Sequence, residues 1–369
     1  MDDFHYIDTP SESKRAADLL AGAPFIAIDT EFVREKTYYP LPCLLQVAGA
    51  GHIFCIDLIA LNGAGAVDQL LFEPSVIKVL HSARQDLELF FALHARVPAP
   101  IYDTQIAAGM LGFPDQCGYG NLVEAVLGIS LDKGHARTDW SRRPLLPDQL
   151  RYAADDVRYL VPLYETLVEQ LADRGRGDWP QADFLALENP QLYSADPATA
   201  WQKVKSWRQL EGSALGRLQQ LAAWREEVAV ERNRPRRWIL SDQSLMALAT
   251  RAPQDPDQLA QLEAVPAAVL RNHAGELIRR LRIGEESPTP DAATDSRLSR
   301  SEGALVGRLG KQLDRCAKES EVAASLIATR AELRRLVSGE RDLPVLAGWR
   351  RELVGSRLLE LLEQAKQLG

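Results

Sequence analysis

Phe25-Ile26-Ala27-Ile28-Asp29-Thr30-Glu31-Phe32 is the stretch that decides how the first half of this chain folds. Its apolar start reads as a buried strand. The two carboxylates that follow lie two residues apart, so both leave the same face of that strand. Side by side they repel each other at neutral pH unless a cation bridges them. An Asp-x-Glu pair in a strand is commonly a solvated edge, but the apolar run ahead of this one argues against full solvation.

Outward from that strand, residues 43–48 and 52–58 read as a second and a third strand, with Gly49 and Gly51 at the turn between them. Residues 76–80 read as a buried strand leading into a helix near 83–94, which puts Asp86 in the helix's first turn. An acid there also suits the helix macrodipole. After Leu150 the pattern is helical. Tyr152 and Asp156 are four apart and share a face, Asp155 is within reach of it, and spacing does not choose between the two acids. Alternating strands and helices to about residue 208 predict an α/β domain whose sheet mixes parallel and antiparallel pairs.

From Leu210 onward the strand signal disappears. Leu218, Leu221, Ala222, Trp224, Arg225 and Val228 follow helical spacing. Ser241 reads as an N-cap ahead of Leu245 and Leu248, and a further helix is expected over 267–281. Residues 284–300, with Pro288 and Pro290, read as a linker, and helices resume at 305–321. Thr329-Arg330-Ala331-Glu332 is a capping-box pattern. Leu333 and Leu336 follow Thr329 at the offsets that separate Leu245 and Leu248 from Ser241. This predicts two copies of a small helical module. The expected organisation is an α/β domain over 1–208, a first helical module over 211–283, a linker over 284–300 and a second module over 301–369.

The bulk composition removes several classes. A chain of 369 residues, 46% hydrophobic, can bury more than one core. A net charge of -8 argues against coating nucleic acid through bulk charge. The four cysteines, Cys43, Cys55, Cys117 and Cys316, are scattered and form no Cys-x-x-Cys pair, so reduced thiols are expected. The acidic start has no apolar h-region, and no apolar run reaches the roughly 18 residues of a membrane helix. A cytoplasmic protein without membrane association is expected. Gly307-Arg308-Leu309-Gly310-Lys311-Gln312 is not a phosphate-binding loop, which excludes an ATP-driven motor. Gly49-Ala50-Gly51 lacks the third glycine of a dinucleotide fingerprint, so no nucleotide cofactor is expected.

Carboxylates converging from separate elements are the hard oxygen ligands that Mg²⁺ or Mn²⁺ takes. A pair of such ions can activate water and stabilise the leaving oxygen of a phosphodiester. A metal-dependent nuclease follows as the expectation.

As a set, the motifs carry a family resemblance. Asp29-Thr30-Glu31, His81-Ser82-Ala83-Arg84-Gln85-Asp86 and Tyr152-Ala153-Ala154-Asp155-Asp156 resemble, in order and separation, the three motifs of the DEDD superfamily of 3′-to-5′ exonucleases, in its tyrosine-bearing branch. Tyr38-Tyr39-Pro40, Ile101-Tyr102-Asp103-Thr104-Gln105 and Thr138-Asp139-Trp140-Ser141-Arg142-Arg143-Pro144-Leu145 are similar to the ribonuclease D family. The helical tail resembles a pair of HRDC modules. The resemblance implies a ribonuclease H-like exonuclease fold followed by two all-α HRDC-like modules. It selects Asp156 over Asp155, and implies two divalent ions, Mg²⁺ or Mn²⁺, held by Asp29, Glu31, Asp86 and Asp156. Tyr152 then orients the attacking water. The implied reaction releases nucleoside 5′-monophosphates from RNA 3′ ends, and the implied substrates are tRNA precursors with 3′ extensions.

His135 stands where many relatives carry Gln and reads as a tolerated polar replacement in a loop, while His81 reads as a structural histidine beside the strand end. For RNA contacts the candidates are Arg137, Arg142 and Arg143 near the chemistry, and Arg234, Arg236, Arg237 and Trp238 in the most basic run. Two other functions fit the same residues. One is a DNA 3′-exonuclease of the same superfamily; the other is a non-catalytic RNA-binding scaffold, against which the full set of carboxylates and Tyr152 argues. Since the tail holds none of the implied ligands, a fragment ending near residue 208 is expected to retain the site.

Overall fold

The computed structural model describes residues 3–132, 134, 138–287 and 298–367. A six-stranded sheet carries the first half. Its strands are β1 (His5–Ile7), β2 (Phe25–Val33), β3 (Leu41–Gly49), β4 (His52–Asp57), β5 (Ile77–Leu80) and β6 (Ile101–Asp103), in spatial order β1-β4-β3-β2-β5-β6. β2, β5 and β6 pair in parallel, as do β1 and β4, while β3 and β4 are antiparallel. The sheet is therefore mixed, as the alternation predicts. The β3–β4 turn is made by Ala50 and Gly51, both at positive φ; Gly51 is at the turn as expected, while Gly49 is the last residue of β3. Positive φ at both turn residues gives the backbone twist a two-residue hairpin needs.

Helices cover the sheet. They are α1 (Pro10–Leu20), α2 (Arg84–His94), α3 (Thr104–Met110), α4 (Tyr119–Leu127), α5 (Pro147–Arg158) and α6 (Leu160–Asp173). Local chemistry sets their starts. Thr9 caps α1 ahead of Pro10, and Asp103 caps α3 by accepting from the backbone of Gln105 and Ile106.

The chain divides into two compact units, and the division departs from the sequence reading. The first takes its described residues from 1–32, 42–192 and 294–369; the second from 33–41 and 193–293. The segment expected to form a separate second helical module, with α10 (Arg300–Glu319), α11 (Arg330–Val337) and α12 (Ser356–Gln367), thus belongs to the first unit, with the sheet. One apolar core joins Ala27, Val79, Leu163 and Leu167 to Leu309, Leu313, Leu336, Leu358 and Leu362. Gly109 lets the backbones meet: its carbonyl accepts from Ala323 N at 2.8 Å, and a Cβ there would lie 2.4 Å from Leu326 Cδ1. Trp179 and Trp349 stack at 4.5 Å, and Arg350 donates to both Asp183 oxygens at 2.7 and 2.8 Å. The capping box at Thr329 and Glu332 is present as expected. What the repeat pattern missed is that amphipathic helices of this length bury their apolar stripe wherever a complementary face exists, here against α3 and α6.

The second unit is α-helical, built on α7 (Gly212–Glu231), α8 (Asp242–Arg251) and α9 (Ala267–Glu286). Ser241 caps α8 as expected. α9 runs through Gly284 to Glu286, so the first residues of the expected linker are helical. Gly216 and Gly284 let α7 and α9 touch: a Cβ on Gly216 would lie 2.4 Å from the Gly284 carbonyl oxygen. Residues 33–41 are part of this unit through Asn233, whose side-chain oxygen accepts from Tyr38 N and Tyr39 N at 3.0 and 3.1 Å. Tyr38 and Arg236 both bond the buried Glu226 carboxylate.

Candidate active site

The apolar start of β2 carries Asp29 and Glu31 to its far end on one face. α5 brings Asp156 over that face. Carboxylate oxygens of Asp29, Glu31 and Asp156 all lie within 4.8 Å of one another. Asp86, in the first turn of α2, is buried, and Thr30 Oγ1 donates to its Oδ1 at 2.5 Å. The turn before α2 is strained into place. Ser82 has φ +60°, and Asp103 accepts from Ser82 N and Ala83 N at 3.1 and 2.8 Å. Asp103 therefore sets the direction of α2 and hence of Asp86. Sequence reasoning passed over this role, although an Asp between a strand and a helix is a capping signal.

The four acids hold their protons far above the ordinary carboxylate range. Burial is the first cause for each, and like charge adds to it. Asp29 is raised by burial, then by Asp86, Asp156 and Glu31. Glu31 reaches about 9 through burial and then Asp156 and Asp86. Asp86 and Asp156 each reach about 7 through burial, partly offset at Asp86 by the Thr30 hydroxyl. Half-buried oxygens that repel each other fit a divalent cation, since one such charge removes the repulsion and satisfies the lone pairs.

Tyr152, one turn from Asp156 on α5, is pushed above its usual range by burial and then by Asp156, Glu31 and Asp29. Its phenol is therefore protonated at neutral pH and suited to donating or accepting a hydrogen bond, not to acting as a base. A cavity of about 270 Å³ opens beside it, lined by Leu131, Asp132, Asp148, Arg151, Asp155 and Asp156. A second, of about 320 Å³, lies along the start of α4, from Gly118 to Asn121, and shares Leu131, Asp132, Tyr152 and Asp156 with the first. Asp155 is turned to Arg158, which donates to it at 2.7 Å, and stands outside the three-carboxylate group.

Other sequence candidates fare differently. His81 bridges Thr104 Oγ1 at 3.0 Å and the Cys117 carbonyl at 2.9 Å, and burial holds it below its usual range. That is a structural histidine. Arg143 is withdrawn as a phosphate contact, because its guanidinium bonds Asp57 and the carbonyls of Cys43, Trp140 and Arg142. Arg236 is withdrawn for the same reason, bonded to Glu226 and Tyr38. Arg142 is exposed and paired only loosely at the surface with Asp139. Trp238 is 58% exposed, with Arg234 over its ring at 5.9 Å, and Arg237 is exposed beside it. His135 and Arg137 lie outside the described residues.

Comparison with known proteins gives the family. Residues 4–172 match a 3′-5′ exonuclease family model, and residues 214–281 match the HRDC domain. The chain is 39% identical to a ribonuclease D of Gluconacetobacter diazotrophicus over 98% of its own length and 94% of the relative's. It is likewise 39% identical to a ribonuclease D of Granulibacter bethesdensis, over 92% and 87%. The crystal structure of Escherichia coli RNase D, described as an exoribonuclease involved in structured RNA processing, superposes with a TM-score of 0.84 at 29% identity, covering 98% of this chain and 99% of that one.

Proposed function

The chain belongs to the ribonuclease D family of 3′-to-5′ exoribonucleases, and from that premise we propose that it trims the 3′ ends of tRNA precursors in the cytoplasm with the help of two divalent ions, Mg²⁺ or Mn²⁺. The observation that carries the metal reading is the carboxylate group of Asp29, Glu31 and Asp156 within 4.8 Å, with Asp86 adding its charge to theirs. Asp29, Glu31 and Asp156 would hold an ion together, and Asp86, buried in the first turn of α2, would add a fourth carboxylate. When bound, the ions supply Lewis acidity toward the attacking water and the leaving oxygen.

The chain's own residues do the rest. The phenol of Tyr152 stays protonated and orients the water in line with the scissile phosphorus. Water adds to the terminal phosphate, the bond from phosphorus to the 3′-oxygen breaks, and a nucleoside 5′-monophosphate leaves. The leaving 3′-oxygen takes up a proton and becomes the new 3′-hydroxyl of the shortened strand. The two adjoining cavities that Tyr152 lines receive the terminal nucleotide. Arg142 meets phosphates near the chemistry, and Arg234, Arg237 and Trp238 offer charge and a stacking face to RNA. None of the described helices is long and apolar enough to cross a membrane.

The test is hydrolysis of single-stranded RNA and DNA of equal sequence, and of a tRNA precursor with a 3′ extension. Excess EDTA should stop the reaction, Mg²⁺ or Mn²⁺ should restore it, and Ca²⁺ should support little turnover because its looser coordination places the water poorly. Full activity in EDTA would rule out the metal reading. Equal rates on DNA would rule out RNA selectivity, and an untouched precursor would remove the tRNA assignment.

A further inference from the structure

Gln46 sits in the middle of β3 with no exposed surface, and neither its amide nitrogen nor its amide oxygen has a hydrogen-bond partner among the described residues. β3 lies between β4 and β2. On the β4 side, Gln46 pairs with Cys55, whose thiol lies 3.9 Å from the Leu150 carbonyl of α5. Gln46 therefore faces the side of the sheet that α5 covers. On the β2 side, a Cβ on Gly49 would lie 3.1 Å from Ile26 Cγ2 and 3.3 Å from the Phe25 carbonyl oxygen. The end of β3 thus runs beside the start of β2, and the two strands are antiparallel. Three residues back from Gly49 is Gln46, and three residues on from Ile26 is Asp29. The alternation of faces agrees: Ala48 and Ala27 share one apolar core, Gln46 lies two residues before Ala48, and Asp29 lies two residues after Ala27 on the antiparallel strand.

Cross-strand neighbours have Cβ atoms about 4.5–5.5 Å apart, within reach of a glutamine side chain. A buried carboxamide with both ends unpaired is unfavourable, and an apolar side chain of the same shape would be favoured if the amide did nothing. Its chemistry matches the group beside it, since it carries two N–H donors. A carboxylate that commits oxygens to a cation still has lone pairs to satisfy, and outer donors hold such ligands in orientation.

We propose that Gln46 is a positioning residue of the exonuclease site, donating its amide N–H to the Asp29 carboxylate when that group is ionised on a divalent ion. This rests on the metal reading above. It makes β3, which carries none of the four acids, part of the site's floor.

The test is calorimetric titration of Mn²⁺ into metal-free full-length protein, wild type against Gln46→Met, followed by kcat and KM on a single-stranded RNA. The variant should bind Mn²⁺ about 10- to 100-fold more weakly, the range for losing an outer partner of a metal ligand. Its kcat should fall with KM for RNA unchanged, and its metal-free melting midpoint should not drop. Wild-type Mn²⁺ affinity in the variant would overturn the proposal, as would a melting midpoint that falls while affinity holds. If Gln46→Met does not fold, Gln46→Asn withdraws the amide by one methylene and should weaken Mn²⁺ in the same direction; unchanged affinity there overturns the proposal too. Failure of the wild type itself to bind Mn²⁺, or binding left intact by Asp29→Asn, would instead strike the metal reading.

Discussion

At the scale of single residues, the site is a set of acids placed where acids are unfavourable. Each of Asp29→Asn, Glu31→Gln, Asp86→Asn and Asp156→Asn should reduce hydrolysis on the order of a thousand-fold, the several kcal/mol of charge stabilisation lost with a metal ligand. Asp155→Asn should do far less, because Asp155 is turned to Arg158; rates measured side by side decide this. The same acids predict a pH dependence. Their folded values lie above the ordinary carboxylate value of about 4, so the metal-free fold keeps protons that the unfolded chain has released. Its stability from these groups is present at low pH. It is lost as pH rises from about 4 through about 7 for Asp86 and Asp156 and about 9 for Glu31. Melting in EDTA across that window should show the fall, and Asp156→Asn should melt higher than wild type at pH 8, by roughly 5 °C. Mn²⁺ should reverse the fall, since the ion competes with protons for the same oxygens. Tyr152→Phe should lower kcat about 100-fold with little change in RNA binding, because the ring is kept and only the water-orienting oxygen goes; equal losses in both would make Tyr152 a stacking residue.

At the scale of elements, the site depends on packing that spacing does not reveal. α5 delivers Tyr152 and Asp156 from above the sheet, while Asp103 delivers Asp86 by fixing the turn ahead of α2. The C-terminal helices share one apolar core with α3 and α6. Trp349 stacks on Trp179, donates its indole N–H to the Trp179 carbonyl at 2.9 Å and lies under the Arg350 guanidinium. Trp349→Ala should therefore destabilise the exonuclease unit by about 2–3 kcal/mol, below the range for a fully buried large aromatic because Trp349 is only partly buried. Urea unfolding followed at the active site, through loss of Mn²⁺ binding, reads this directly. A C-terminal helix that were an appended module would leave that midpoint unmoved.

At the scale of the whole molecule, the unit that carries the chemistry is discontinuous in sequence. A fragment ending near residue 208 removes Val306, Leu309, Leu313, Leu336, Leu358 and Leu362 from a core shared with Leu163 and Leu167. The expectation that such a fragment retains the site is thereby reversed. It should express as an aggregating or partly unfolded chain, because an exposed apolar face of that extent does not stay monomeric in water. Size exclusion and hydrogen exchange of the fragment against the full chain test this; a monomeric, protected and active fragment would show that the C-terminal helices are dispensable.

The chain's sequence by itself determined the mixed α/β character, the β2 and α5 positions of the acids, the helix caps at Ser241 and Thr329, and the membership of a nuclease family. These are local matters: side-chain period, capping chemistry and motif order are all written within a few residues of one another. Only the tertiary structure showed what each acid meets: Arg158 for Asp155, and Asp29 and Glu31 for Asp156, the acid the family resemblance had already selected. It also decided that Arg143 and Arg236 are used up by Asp57 and Glu226, and that the tail divides between two units. The guanidinium pairings and the division of the tail turn on which group from another element meets the residue in question. Arg143 and its partner Asp57 are 86 residues apart in sequence. A guanidinium in a basic run looks the same whether it faces a phosphate or a buried carboxylate, and an apolar helix face looks the same whichever core it closes, because pairing across that distance is set by the fold and not by spacing.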